Sequence, residues 1–328
     1  MPRIPIESLQ PGASVSKQVF LLRDKSLSPT RSGVSLMRLV LGDRSGSIPG
    51  IMFDAPANWF QQLEVGQGVE VTGKIEEYRD TLQIRLDRVT RTSIEDLGEF
   101  LPGASRPIPA MQRELDQVIA SVQHPDLSRL LLAILGQGSE LRGAFCEAPA
   151  AKTLHHACRG GLLEHTLSVV SLANAPFEER TPSTLEDGGQ SLMRDLAITL
   201  GLLHDLGKVR AYDRTTFELT DEGALFGHLY MSASLVEAAI ALLPGFDPNL
   251  RLRVIHGILA HHGTLEHGSP VVPMTREAIA VHHADAMDAD LQGATEVMAR
   301  PDAQTGAYTA YSPMHETRLY RGFGDEVI

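Results

Sequence analysis

Apolar and polar residues alternate in short runs through the first part of the chain, the period of a half-buried strand. Residues 15–21 begin with that alternation, and residues 35–41 follow the turn-like Arg31-Ser32-Gly33. Asp43-Arg44-Ser45-Gly46 is a turn signal, and residues 47–53 read as the returning strand. Gly66-Gln67-Gly68 leads into a fourth strand at 69–75, and 81–86 makes a fifth. A short helix at 58–63 is expected before the fourth strand. Five short strands at this spacing predict a small barrel or sandwich. Residues 93–112, with Pro102, Gly103, Pro107 and Pro109, read as a linker. From Arg113 the period becomes helical: Leu115, Val118, Ile119 and Val122 recur at helical spacing, followed by an apolar run at 127–135. Residues 176–191, rich in Pro, Glu, Thr and Gly, are expected to form an exposed loop, and no further strand-rich region is expected. The predicted organisation is multidomain: an N-terminal all-β domain (1–92), a linker (93–112) and an all-α domain (113–328).

Composition narrows the class. Of the 328 residues, 43% are hydrophobic and 21% charged, the balance of an ordered globular chain. No apolar run reaches the roughly 20 residues of a membrane span, so no membrane association is expected. Met1-Pro2-Arg3-Ile4-Pro5 lacks the apolar core of a signal peptide. Cys146 and Cys158 form neither a metal pair nor a disulfide framework, which predicts a cytoplasmic protein. The net charge of −12 is unevenly spread: residues 1–92 hold 12 Lys+Arg against 10 Asp+Glu, and the rest holds 17 against 31. A weakly basic first domain permits nucleic-acid contact without demanding it. All 13 histidines lie at or beyond His124, so metal or acid–base chemistry is expected in the helical part.

Five motifs stand out there: residues 160–166 with His165, 201–208 with His204-Asp205 and Lys208, Gly227-His228, Ala260-His261-His262-Gly263, and His282-His283-Ala284-Asp285 with Asp288 one turn later. Residues 192–206 form an apolar-rich helical run, with Gly207 expected as a C-terminal cap. A buried aspartate at such a helix end requires a cation or a dense hydrogen-bond network. Imidazole and carboxylate suit Mn²⁺, Fe²⁺, Zn²⁺ or Mg²⁺. A lone histidine is usually structural or exposed, which is the expectation for His124, His256, His267 and His315. His155, His156, His282 and His283 stand between the two classes, being close in sequence to ligand candidates.

The order His165, His204-Asp205, Asp285 resembles the signature of the HD superfamily of all-helical, metal-dependent phosphohydrolases. Together with His155-His156-Ala157, Gly227-His228, Ser269-Pro270-Val271-Val272-Pro273-Met274-Thr275 and Leu319-Tyr320-Arg321-Gly322, the chain resembles the YhaM-type 3′-to-5′ exoribonucleases, which join an OB fold to an HD domain. The resemblance implies an N-terminal all-β OB-like barrel followed by an all-α HD domain, and two divalent ions, Mn²⁺ first among them. His165, His204, Asp205 and Asp285 would hold one, and His228, His261 and His262 the other, with Asp205 bridging. It implies a catalytic role for Asp205 and cleavage of single-stranded RNA, with single-stranded DNA as a further substrate. Lys208 is a candidate for a substrate phosphate, or simply a cation favoured at a helix C-terminus. Phe20, Arg38, Phe53, Trp59 and Tyr78 of the barrel, and His155 and His156, are weaker candidates for substrate contact. Two alternatives stay open: an HD phosphohydrolase of nucleotides or cyclic dinucleotides, and a non-catalytic single-strand-binding protein. Self-association into a homo-oligomer is also left open.

Overall fold

The computed structural model describes residues 3–30, 33–79, 81–94, 96–152, 156–177, 187–299 and 307–322. The chain forms two compact units, Met1–Gly103 and Ala104–Ile328.

The first unit is a closed five-stranded barrel. Its elements are β1 (Ser14–Pro29), β2 (Ser35–Asp43), β3 (Gly46–Phe53), α1 (Ala57–Gln62), β4 (Gly68–Tyr78) and β5 (Thr81–Thr92), in the order β1-β2-β3-β5-β4. The long β1 pairs with both β2 and β4, bending at irregularities between Val15 and Gln18 and between Leu22 and Asp24. Parallel pairing of Gly50 with Ile84 and Ile51 with Arg85 closes the barrel. Gly73 lies where the β4–β5 register shifts, and a Cβ there would sit 2.2 Å from the Arg85 carbonyl oxygen. Phe20, Leu22, Met37, Leu39, Leu41, Val69, Val71 and Ile84 fill the interior. The strands run longer than the alternation predicts because charged ends such as Arg23–Ser28 keep their ladder bonds after leaving the core.

The second unit comprises α2 (Ile108–Ser121), α3 (Pro125–Leu135), α4 (Glu140–Glu147), α5 (Gly161–Asn174), α6 (Asp187–Leu203), α7 (Lys208–Ala211), α8 (Asp221–Ala241), α9 (Pro248–Ala260) and α10 (Arg276–Ala299). Pro107 and Pro109, expected in a linker, instead start α2: proline suits a first helical turn, where its missing N–H would find no partner anyway. Part of the expected loop at 176–191 is helical, since α6 begins at Asp187; residues 178–186 lie outside the described residues. Helix α8 is long and apolar enough to cross a membrane, which the sequence reading missed because His228 interrupts its apolar run. Gly227, at φ 73° and ψ 151°, breaks its helical course, and Met231, Val236 and Ile240 are buried. The helical unit also carries a two-stranded sheet, β6 (Tyr308–Ser312) with β7 (Thr317–Tyr320), where no strand was expected. Its core draws on α2 to α6 and α8 to α10, with Leu115, Leu131, Phe145, Leu163, Leu200, Val236, Val254 and Val281 among its buried members.

Candidate metal centre

Three close approaches at glycines assemble the site. At the first, Gly160 enters α5 with φ 82°, and a Cβ on Gly161 would meet the His156 carbonyl oxygen at 2.0 Å. This entry places His165 in the second turn of α5, buried. The second is the turn between α6 and α7, which carries His204 and Asp205, both buried. Gly207 has right-handed helical φ/ψ and follows α6 only after His204, Asp205 and Leu206, so it is not the C-terminal cap that was expected. It is required for close approach: a Cβ would lie 2.4 Å from the His228 carbonyl oxygen and 2.6 Å from the Ser232 N. Its own N–H donates to Ser232 Oγ at 2.7 Å, fastening the turn to α8 beside His228. The third approach follows α9, where His261 and His262 precede Gly263 (φ 81°); a Cβ on Gly263 would strike the His282 ring. Helix α10 supplies Asp285 and Asp288.

These elements converge on Asp205. His165 Nε2 lies 3.4 Å and His204 Nε2 3.3 Å from its Oδ2, and His228 Nε2 lies 3.3 Å and His261 Nε2 3.6 Å from its Oδ1. Asp285 Oδ1 is 3.2 Å from His165 Nε2 and 3.8 Å from His204 Nε2. His228, His261 and His262 form a separate trio whose nitrogens lie within 4.8 Å of one another. The rings are aimed by their far nitrogens. Nδ1–H of His204 donates to the Gly201 carbonyl at 2.8 Å, that of His261 to Ile258 at 2.7 Å and that of His262 to His267 at 2.8 Å. A carbonyl only accepts, so each Nε2 keeps a lone pair for a cation. His282 Nδ1–H donates to the His261 carbonyl at 2.8 Å and so holds that backbone.

A second layer lies behind His165. Its Nδ1–H donates to Asp288 Oδ2 at 2.6 Å. His156 bridges Asp288 (3.2 Å) and Glu164 (3.3 Å), and Glu164 also accepts from Ser105 Oγ and from the Arg106 N–H at 3.1 Å. His156 was expected to touch substrate; it is instead buried, bonded at both nitrogens, and held at φ 65°. His155 lies outside the described residues. Asp288 and Glu164 had no assigned role. The available signal for Asp288 was its place three residues after Asp285, on the same helix face.

The charges are strongly coupled. Burial pulls the His165 pKa down, but hydrogen bonds to Asp205, Asp285 and Asp288 outweigh it and hold the imidazole well above its usual 6.5. Burial pushes Asp205 up, and Lys208 and His204 outweigh that, keeping it well below the carboxylate range. Lys208 Nζ lies 2.6 Å from Asp205 Oδ2. Burial lowers His228 to about 3 and drives His261 well below 6.5.

The sequence profile of the HD domain matches residues 162–290, and that of the OB-fold nucleic acid binding domain matches residues 17–91. The 3′-5′ exoribonuclease YhaM of Bacillus pumilus is 31% identical over 279 residues, covering 83% of this chain and 84% of the relative. The YhaM enzyme of Bacillus subtilis is 30% identical over 297 residues, covering 89% and 90%. The chain belongs to the YhaM family. That of Listeria welshimeri is 31% identical over 288 residues, covering 86% and 87%.

An HD domain implies divalent-metal binding, and the donors of this YhaM-family chain fit it. Asp205 Oδ1, His228 Nε2 and His261 Nε2 are buried without a hydrogen-bond partner among the described residues. Orphaned polar atoms of this kind are costly unless a cation completes them. The barrel candidates divide. Phe20 is not a base contact: its ring is fully buried in the barrel core. Phe53 and Tyr78 are exposed, with the Arg79 guanidinium 5.3 Å from the Tyr78 ring centre. Arg38 is exposed on β2 and donates to Ser28 Oγ at 2.9 Å. Trp59 is half-buried, packing on the barrel core and lining a cavity of about 420 Å³ with Arg88 and Arg91. The histidines expected to be bland are so: His124 caps α3, and His256 accepts from the Met274 N–H at 2.9 Å.

Proposed function

We propose that this protein is a metal-dependent phosphodiesterase that shortens single-stranded RNA from its 3′ end, with single-stranded DNA as a further substrate. The observation that carries the reading is the convergence of four imidazoles on the buried Asp205, with Asp285 beside His165 and His262 beside His228 and His261, in a chain 31% identical to a 3′-5′ exoribonuclease over 84% of that relative. We assign His165, His204, Asp205 and Asp285 to one divalent ion, and His228, His261 and His262 to a second, with Asp205 shared. Mn²⁺ is the metal we expect. Bound there, divalent ions lower the pKa of water toward neutrality and neutralise charge on phosphoryl oxygens.

The protein's own groups have distinct tasks. The histidines present Nε2 lone pairs in a fixed direction because their Nδ1–H groups are already spent on carbonyls. Asp288 fixes the His165 ring. Lys208 keeps Asp205 ionised, and its ammonium is the group we assign to a substrate phosphate. We assign single-strand binding to residues 1–92 through Arg38, Phe53, Tyr78 and the Trp59 cavity, and catalysis to residues 113–328. We place the protein in the cytoplasm.

Incubation with Mn²⁺ and 5′-labelled RNA, DNA and a nucleotide panel tests this. A ladder of stepwise shortened strands is the expected result. Turnover confined to mononucleotides or cyclic dinucleotides would discard the reading.

A further inference from the structure

Among the described residues after α10, the chain forms a small hairpin that the metal centre does not use. Tyr308, Tyr311 and Tyr320 on it are 49%, 62% and 53% exposed. Tyr308 and Tyr320 face each other across the strands with ring centres 5.2 Å apart. Arg318 stands 5.8 Å from the Tyr308 ring centre, fixed by its Nε–H donating to the Thr309 carbonyl at 2.9 Å. The other side of β6 is buried through Thr309 and Ser312.

A two-stranded hairpin is marginal alone, so its anchorage matters. His315 bonds Ser312 Oγ at 2.9 Å and donates from Nε2 to the Asp290 carbonyl at 3.0 Å. Met314 packs so closely on Gly293 that a Cβ there would lie 2.6 Å from its sulfur. The tip is therefore clamped to α10 between Asp290 and Gly293. At 1.5 Å per helical residue, that is about 8–12 Å along the axis from Asp285.

Charge singles the hairpin out. Beyond residue 92 the chain carries 31 acidic against 17 basic side chains, yet residues 307–322 hold Arg318 and Arg321 against Glu316 alone. Exposed aromatic rings beside the exposed Arg318 suit successive bases and a phosphate, and stacking accepts any base.

We propose that the exposed face of the β6–β7 hairpin is a stacking platform for single-stranded RNA on its way into the metal centre. This rests on the exonuclease reading above. It places a strand-binding surface on the catalytic unit itself, in addition to the barrel.

The test uses the full chain with Mn²⁺, comparing wild type, Tyr311→Ala, the double variant Tyr311→Ala/Tyr320→Ala, and the corresponding Phe variants. Two substrates are read: 5′-labelled single-stranded RNA and bis(p-nitrophenyl) phosphate, a diester too small to span hairpin and metal. The double Ala variant should raise KM for RNA about ten- to hundredfold. The single variant should raise it less, the Phe variants should restore it, and diester turnover should hold throughout. Wild-type shortening of RNA with KM unchanged in both Ala variants overturns the platform alone. An unchanged KM accompanied by a lower sedimentation coefficient overturns it in favour of self-association through the tyrosines. Wild-type diester turnover without RNA shortening overturns the exonuclease reading, and the platform with it.

Discussion

Asp288 makes no approach to the shared carboxylate, yet it decides how His165 is presented. Its Oδ2 accepts the Nδ1–H of His165 at 2.6 Å and ties that ring to His156 and Glu164. Asp288→Asn should therefore lower divalent-metal affinity about ten- to hundredfold with little change in melting temperature. Competitive metal titration and thermal unfolding of the metal-free protein check this. Unchanged affinity would make the second layer merely structural. Protons should move as well. Hydrogen bonds to its carboxylate partners hold His165 well above 6.5 and so favour its protonated form. A cation must displace that proton, so uptake releases it and affinity falls as pH is lowered. His228, at about 3, and His261, well below 6.5, are already neutral and release none. Calorimetry at pH 7 in buffers of differing ionisation enthalpy should show net proton release on metal uptake. The histidines that gather around Asp205 were legible in the sequence as a cluster because they recur with aspartates beside small residues on apolar helices. His156 was not, because its partner Asp288 lies 132 residues further along the chain. Phe20 misled for another reason: Phe20, Leu21 and Leu22 are all buried where β1 bulges, and strict alternation does not survive a bulge.

The turn between α6 and α7 works because glycine at 207 lets α8 press against it. Gly207→Ala would drive a methyl group to 2.4 Å from the His228 carbonyl oxygen, which is backbone and cannot step aside. A loss of about 1–3 kcal/mol in unfolding free energy is expected, with weakened metal binding because Asp205 and His228 shift apart. Denaturant melts and metal titration of the variant measure both; a variant matching wild type in each would refute the close-approach role. The sequence located this turn but gave its glycine the wrong task, since a cap and a contact surface look alike without the partner helix. The proline signals at 107 and 109 were similarly ambiguous, because proline both interrupts chains and begins helices. The β6–β7 hairpin escaped notice because its strands are short and its tyrosines face outward, leaving no buried period to read.

The two units have separate hydrophobic cores, one inside the barrel and one among the helices. Residues 104–328 alone should therefore fold and hydrolyse bis(p-nitrophenyl) phosphate at close to the full-chain rate. Their KM for RNA should rise, and the salt dependence of RNA binding should flatten as the barrel's Lys and Arg contacts are lost. Kinetics and binding isotherms across a salt series measure this, and an unchanged KM would remove the barrel from substrate binding. The fold class was readable because strand and helix periods segregate to different parts of the chain; which barrel side chains are exposed was not, because exposure depends on register and packing.

In the proposed centre, separate helices cage a pair of cations around Asp205. Anomalous diffraction at the manganese edge, from crystals of the Mn²⁺-loaded protein, tests it most directly. Two peaks flanking the Asp205 carboxylate are predicted, one against His165, His204 and Asp285 and the other against His228, His261 and His262, with both lost in Asp205→Ala. No peak within coordination distance of Asp205 in the loaded wild-type crystals would contradict it.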